Sequence, residues 1–154
     1  MTVLRCLIDS MIFDEIAEDP ELVVSVDRLT TARKLELLAT PTSIAQVAAT
    51  PEPARRRRLQ RIRVLVVPPA DGDPAARDPL AALERSRGVD HDDALIAAAA
   101  ALHSVPLVTE DRELRLAVMN HLPQVPVWRW VTDLRPAIVT LGIGLPRPPR
   151  RAFR

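Results

Sequence analysis

The sequence predicts an α/β fold: a three-layer α/β/α sandwich around a central, mostly parallel sheet of about five strands. Two observations lead to this fold class. Short apolar segments alternate along the chain with segments whose apolar residues recur at helical spacing. Pro, Gly and Asp residues mark the boundaries between these segments. Strands that are joined through helices pair in parallel, and helices then cover both faces of the sheet.

Five apolar segments are predicted as strands. Each is short, and several are rich in Val and Leu, which suits a strand buried on both faces. Pro68 and Pro69 stop the third segment, whereas Pro106 lies near the start of the fourth, where a strand tolerates proline. The predicted strands are residues 3–8, 35–39, 63–67, 105–109 and 125–131.

The segments between the strands are predicted as helices. Residues 90–103 form the clearest one, because they are rich in Ala and begin with Asp90 as a potential cap. Residues 21–33 are ambiguous: VVSV favours a strand, whereas the spacing of Leu22, Val26 and Leu29 favours the helix that we predict. Residues 70–78 have the composition of a loop. Three further helices are predicted at residues 10–18, 79–87 and 113–122. Another helix is predicted to be capped by Thr42 or Ser43 and to contain Gln46, and the Arg-rich segment after Pro53 continues it.

Length and composition indicate one globular domain that we expect in the cytoplasm. The domain is predicted to span residues 1–134, followed by a Pro- and Arg-rich tail at 135–154 that we expect to be irregular from Pro136 onward. The longest strongly apolar run, residues 94–102, is too short to cross a bilayer, which needs about 20 residues, and no membrane association is expected. The single cysteine, Cys6, cannot form an internal disulfide.

The Arg residues are unevenly distributed, although the formal net charge is only +1. Residues 55–63, RRRRLQRIR, contain six Arg and no acid, and residues 135–154 contain five Arg and no acid. The guanidinium group binds phosphate well, which favours a nucleic-acid surface. Abundant Arg, Ala and Pro also fit a compositional bias with solvated charge runs, so both interpretations remain open.

Three carboxylates that are far apart in sequence are predicted to converge in space. Asp9 follows the first strand and Asp111 follows the fourth, so both lie at the carboxyl edge of the sheet. The helix at 90–103 must begin at that edge in order to lead into the fourth strand, which places Asp93 there as well. Gln46 lies early in the helix after the second strand, near the same edge. Ligands collect at this edge in open α/β sheets.

These acids have two possible roles. Each could cap the helix that begins beside it. Convergence is not explained by capping, however, because like charges held close together repel each other and need a cation. Oxygen ligands without Cys or His favour Mg²⁺ or Mn²⁺. His91 and His103 are not expected to be ligands.

The blocks "CLIDSMIF", "DDALIAAAAAL" and "PLVTEDREL" resemble three well-marked segments of the PIN-domain ribonucleases, the fold of VapC-like toxins. The resemblance covers roughly residues 3–131 and implies that Asp9, Asp93 and Asp111 bind metal. It also implies an RNA substrate, a possible antitoxin partner and a homodimer. The family usually places a Glu in the helix after strand two, whereas this chain has Gln46.

The predicted function is therefore that of a metal-dependent endoribonuclease, the toxin of a toxin–antitoxin pair. Asp9, Asp93, Asp111 and Gln46 are its predicted catalytic residues, with Mg²⁺ or Mn²⁺ as cofactor, and Thr109 is expected to hydrogen-bond a neighbouring acid. The alternative is a catalytically weak PIN-like module that binds RNA or protein, because an amide at position 46 adds no charge. Trp128 and Trp130 alternate on the last predicted strand and could stack bases or pack at the sheet edge.

Overall fold

The computed structural model describes residues 2–146 and contains a five-stranded sheet in the order β3-β2-β1-β4-β5. Every neighbouring pair of strands is parallel. Each strand lies within one of the five predicted segments, so the predicted α/β sandwich is confirmed. The strands are β1 Leu4–Ile8, β2 Leu35–Ala39, β3 Leu65–Val66, β4 Leu107–Val108 and β5 Val127–Trp128.

Eight α-helices connect or follow these strands in the described part of the chain. The ambiguous segment after Pro20 is helical, as predicted, and Pro20 occupies the first turn of that helix, where its missing N–H is not needed. The predicted loop at 70–78 contains two short 3₁₀ turns. The helices are α1 Ser10–Ala17, α2 Pro20–Thr31, α3 Pro41–Ala48, α4 Pro53–Gln60, α5 Arg77–Glu84, α6 His91–Leu102, α7 Arg112–His121 and α8 Arg135–Ile143.

The helices form two layers because successive side chains of a strand point to opposite faces. On β1, Leu7 packs into one core cluster, which includes buried residues of α5, α6 and α7. Cys6 and Ile8 pack into the other cluster, which includes buried residues of α1, α2, α4 and α8. The sheet is therefore covered on both faces, and its carboxyl edge is the place where helices begin directly after strands.

The cap of α3 differs from the prediction. Neither Thr42 nor Ser43 is the cap; Thr40 caps the helix, and its hydroxyl oxygen accepts a hydrogen bond from the Ser43 backbone N–H at 3.1 Å. Pro41 then occupies the first helical position, where its fixed backbone angle suits a helix. The prediction placed the helix start two to three residues too late.

The C-terminal region also differs from the prediction. β5 ends at Trp128, and residues Trp130–Leu134 form a single π-helical turn instead of extending the strand. The irregular structure expected from Pro136 onward is wrong as far as Ile143, because α8 packs against α2 with Ile138 buried. Residues 147–154, which hold the last four Arg of the predicted tail, lie outside the described residues. The boundary between residues 134 and 135 remains a prediction.

Candidate active site at the carboxyl edge of the sheet

Asp9 lies where β1 passes into α1, and its carboxylate is held from several sides. The residue is 4% exposed. Its Oδ1 caps α1 by accepting hydrogen bonds from the backbone N–H groups of Met11 at 3.0 Å and Ile12 at 3.3 Å. The turn between β1 and α1 therefore fixes the position of this carboxylate at the edge of the sheet.

Thr109 connects Asp9 with Asp111. It is fully buried at the end of β4, and its hydroxyl donates a hydrogen bond to Oδ2 of Asp9. The same hydroxyl oxygen accepts the backbone N–H of Asp111 at 3.1 Å. The expectation that Thr109 hydrogen-bonds a neighbouring acid is confirmed. Asp111 in turn caps α7, with its Oδ1 accepting from the N–H of Leu114 at 3.1 Å.

Asp93 reaches the same region from the first turn of α6. The cap of this helix is Asp90, whose Oδ1 accepts the backbone N–H of Asp93 at 2.8 Å. The capping role that could have explained Asp93 therefore belongs to Asp90. The carboxylate of Asp93 is partly buried and close enough to Asp9 and Asp111 to feel their charges.

Burial and mutual repulsion perturb the carboxylates at this edge. Burial raises the pKa of Asp9 to about 6; its hydrogen bonds to Thr109, Ile12 and Met11 offset part of that increase, and the charge of Asp111 adds to it. Burial also raises the pKa of Asp93 to about 6, together with the charges of Asp90, Asp111, Asp9 and Asp92. A bound cation would relieve both effects.

The donor chemistry fits a hard divalent cation, because carboxylate and hydroxyl oxygens are the ligands that Mg²⁺ and Mn²⁺ prefer. The carboxylates do not, however, form a complete set of metal ligands. Within residues 2–146, no group of three His, Cys, Asp or Glu side chains is arranged so that it could hold a metal ion as it stands. Direct coordination by Asp9, Asp93 and Asp111 together would therefore require their side chains to move towards one another.

Gln46 lies in the second turn of α3, and its side chain is exposed. The polar residues that α3 buries at its start are Thr40 and Ser43, whose hydroxyl oxygens lie 3.3 Å apart. Sequence reasoning considered Ser43 only as a cap and missed this buried pair; the Thr-Pro sequence directly after β2 was the available signal. A catalytic role for Gln46 remains a prediction.

Glu110 connects the end of β4 with the chain that follows β5. Its Oε1 accepts the backbone N–H of Trp130 at 2.7 Å, and its Oε2 pairs with Nη2 of Arg129 at 3.1 Å. Trp130 lies outside the strand and is 3% exposed. Trp128 packs partly buried against the same core. The expectation that both Trp residues lie on the strand is therefore wrong for Trp130, and both rings contact the core, which favours the packing interpretation.

Sequence comparison assigns the family. The family model of the PIN domain matches residues 8–118, a segment that includes Asp9, Asp93 and Asp111. The chain belongs to the PIN-domain family. PIN domains are nucleases, which hydrolyse phosphodiester bonds, and the three acids lie within the segment that matches this family. A comparison with curated proteins gives no match.

Solved structures share the fold of this PIN domain at low sequence identity. One such structure is VapBC2 from Rickettsia felis bound to a DNA fragment from the VapBC2 promoter. It aligns with a TM-score of 0.57 and 13% sequence identity, and the alignment covers 82% of this chain and 99% of the VapBC2 chain. The PIN domain endonuclease Utp24 aligns with a TM-score of 0.51 and 16% sequence identity, and the alignment covers 83% of this chain and 86% of the Utp24 chain. PAE2754 from Pyrobaculum aerophilum aligns with a TM-score of 0.50 and 18% sequence identity, and the alignment covers 92% of this chain and 99% of the PAE2754 chain.

Within residues 2–146, no helix has the length and apolar character needed to cross a membrane. The longest helices, α2 and α6, have 12 residues each.

Proposed function

We propose that this PIN domain is a metal-dependent endoribonuclease that cleaves RNA phosphodiester bonds. The observation that carries the proposal is the electrostatic coupling of Asp9, Asp93 and Asp111 at the carboxyl edge, where the pKa values of Asp9 and Asp93 are raised. Buried like charges destabilise a fold unless a ligand compensates for them, which supports a cation site. The proposed cation is Mg²⁺ or Mn²⁺.

Each residue of the site would have a separate role in the reaction. When bound, the cation supplies Lewis-acid chemistry, neutralising phosphate charge and acidifying water. Asp9, Asp93 and Asp111 would hold it. The hydroxyl group of Thr109 donates a hydrogen bond to the carboxylate of Asp9 and accepts one from the backbone N–H of Asp111. Thr109 therefore positions the two acids relative to each other. The exposed amide of Gln46 would orient water by hydrogen bonding.

For the biological role, we infer that the chain is a toxin that acts in the cytoplasm and is held inactive by an antitoxin. The structural likeness to VapBC2 and the resemblance of the sequence blocks to VapC-like toxins support this role. The same resemblance supports a homodimer.

A second candidate function is a PIN-like module that binds RNA or a protein but cleaves poorly. Two observations favour it: the acids do not form a closed ligand set as they stand, and position 46 carries an amide. Its RNA affinity would be insensitive to EDTA, whereas that of the enzyme would depend on the cation.

The substitution Asp93→Asn tests the proposal, with Asp92→Asn as the matched control. Asp92 lies in the same helical turn but is exposed, and Asp90 remains to cap α6 in both variants. Mn²⁺ should raise the Tm of the wild type and of Asp92→Asn, because a ligand that binds the folded state stabilises it. Asp93→Asn should lose this rise and lose cleavage of single-stranded RNA by on the order of 100-fold, equivalent to about 2.7 kcal/mol.

Two results would contradict the enzyme. One is a wild-type Tm that does not respond to millimolar Mn²⁺. The other is an equal rate of cleavage by wild type and Asp93→Asn, which would assign the activity to a contaminant or to another site.

A further inference from the structure

Strand β3 lies at one edge of the sheet, and its outer side is uncovered. In the strand order of the sheet, β2 is its neighbour on one side, and within residues 2–146 no strand borders the other side. Leu65 is 50% exposed and Val66 is 49% exposed. Successive side chains of a strand point to opposite faces, so β3 presents apolar surface on both faces of the sheet. An exposed apolar edge of this kind is a template on which another strand can pair.

The backbone of β3 is unpaired on its outer side. The N–H of Val67 donates to the carbonyl group of Ala39 on β2 at 2.9 Å. Because the polar groups of successive strand residues point to alternate sides, those of Leu65 also face β2, whereas those of Val64 and Val66 face away from it. Within residues 2–146, the N–H and carbonyl groups of Val64 and Val66 have no hydrogen-bond partner. These groups can therefore bond to a further strand.

A second copy of the chain fits this side of β3 in one antiparallel register. When Leu65 lies opposite Leu65 of the second copy, Val64 and Val66 each exchange an N–H and a carbonyl bond with the other copy. A register centred on Val66 would need an N–H from Pro68, which has none. A register centred on Val64 would need the N–H of Ile62, which already donates within its own chain. The hydrogen-bonding groups therefore favour a two-fold axis at Leu65.

The charges beside β3 also favour the antiparallel direction. Arg61 precedes the strand and Asp71 follows it. Both residues are exposed, and within residues 2–146 neither forms an ion pair. Antiparallel pairing brings the basic end of each copy to the acidic end of the other, and the two-fold symmetry repeats this match. Parallel pairing would instead bring like charges together.

We propose that β3 is the interface of a two-fold homodimer, in which the sheets of two copies join edge to edge with Leu65 on the axis. The family resemblance supports a homodimer but does not locate its interface, which this inference takes from the backbone and the charges of this chain. Each copy uses its β3 edge once, so the assembly closes at two copies. Pro68 and Pro69 end the pairing directly after the strand, because proline donates no hydrogen bond.

Crosslinking through an introduced cysteine tests the register. Leu65→Cys would place two thiols opposite each other, where the Cα atoms of a non-hydrogen-bonded pair lie about 4.5 Å apart, within the range of a disulfide. Val66→Cys is the matched control, because its exposure is the same to within 1%. In the proposed register the two copies of residue 66 are offset along the strands and lie about 8 Å apart, too far for a disulfide. Wild-type protein controls for Cys6, which is fully buried.

The full chain is oxidised with diamide, and covalent dimer is measured on non-reducing gels. Leu65→Cys should form the dimer at least about 10-fold faster than Val66→Cys, and wild type should form none. In sedimentation equilibrium at micromolar concentrations, wild type should be a dimer and Leu65→Lys a monomer, because like charges directly opposite each other destabilise a strand pair. Val24→Lys, at a position on α2 that is 57% exposed, is the matched control and should stay dimeric. Circular dichroism checks that each variant is folded.

Equal rates of crosslinking for Leu65→Cys and Val66→Cys would overturn the proposal, and so would a wild type that is monomeric at micromolar concentrations. A dimer that persists in folded Leu65→Lys would also overturn it and would assign the dimer to another surface. These measurements contain neither RNA nor a divalent cation. Their outcome is therefore separate from that of the ribonuclease proposal.

Discussion

Thr109 organises two acids with one hydroxyl group. The hydroxyl donates to Asp9 and accepts from the backbone of Asp111, so the ends of β1 and β4 are joined by side-chain chemistry as well as by the sheet. Asp9 and Asp111 each use one oxygen to cap a helix. Capping and ligand binding are therefore compatible at these residues, and the two interpretations that the sequence left open do not exclude each other.

The residue at position 46 decides how acidic the site can become. Gln46→Glu would add a fourth carboxylate on α3. If the position faces the cation, Mn²⁺ affinity and RNA cleavage should both increase, because opposite charges within about 4–6 Å attract strongly when partly buried. Isothermal titration with Mn²⁺ and a cleavage assay would measure the two quantities. Unchanged affinity and rate would show that the exposed side chain of Gln46 stays outside the site, with the three-Asp hypothesis intact.

At the scale of elements, the regular alternation of strands and helices was predictable because its signals are local. Apolar runs, Asp and Thr caps and Pro stops are all read within a few residues. Chain topology predicted that Asp9, Asp93 and Asp111 lie near one edge, and the effect of Asp9 and Asp111 on the pKa of Asp93 agrees with this. Topology does not fix side-chain positions, and within residues 2–146 the three carboxylates do not form a complete set of metal ligands. The π-helical turn after β5 was not predictable, because it depends on Glu110 bonding to the backbone of Trp130, 20 residues away.

Helix α8 was missed for a different reason. Ile138 and Leu141 of this helix and Leu134 directly before it have helical spacing, but Pro136 and Gly142 are typical of irregular chain. Pro136 is tolerated because it lies in the first turn of the helix. Packing of α8 on α2 then supplies the stability that the local sequence lacks.

Ile138→Ala should therefore destabilise the protein by about 2–5 kcal/mol, the usual effect of removing a large buried aliphatic side chain. Val139→Ala is the matched control, because Val139 is the next residue of the same helix and is 50% exposed. It should change the free energy of unfolding by less than about 0.5 kcal/mol. Urea denaturation followed by circular dichroism measures both. Equal effects of the two substitutions would mean that α8 does not pack on α2 in solution.

At the scale of the whole molecule, negative charge is concentrated at one place. The carboxyl edge of the sheet carries Asp9, Asp93 and Asp111, whose charges act on one another. Burial of Asp9, partial burial of Asp93 and their mutual repulsion all disfavour the ionised forms of these carboxylates. Stability should therefore depend on pH, on divalent cations and on the charge of Asp9.

The sign of the pH dependence follows from the raised pKa of Asp9. An unfolded Asp titrates near 3.8, whereas Asp9 in the fold has a pKa of about 6, so the folded state binds the proton more tightly. The stabilising effect of that proton is complete below pH 4 and is lost as the pH rises through 6. Over this window Asp9 alone lowers the free energy of unfolding by up to about 3 kcal/mol.

Asp9→Asn removes this titration. In EDTA, its Tm relative to that of the wild type should increase between pH 4 and pH 7 and then level off, as measured by thermal melts across that range. At pH 7.5, Mn²⁺ should raise the Tm of the wild type and leave that of Asp9→Asn unchanged, because the variant lacks a charged ligand. A Tm difference that is independent of pH would show that Asp9 is an ordinary ionised cap. The destabilisation of the acidic edge, which supports the cation site, would then have to be assigned to Asp93 and Asp111 alone.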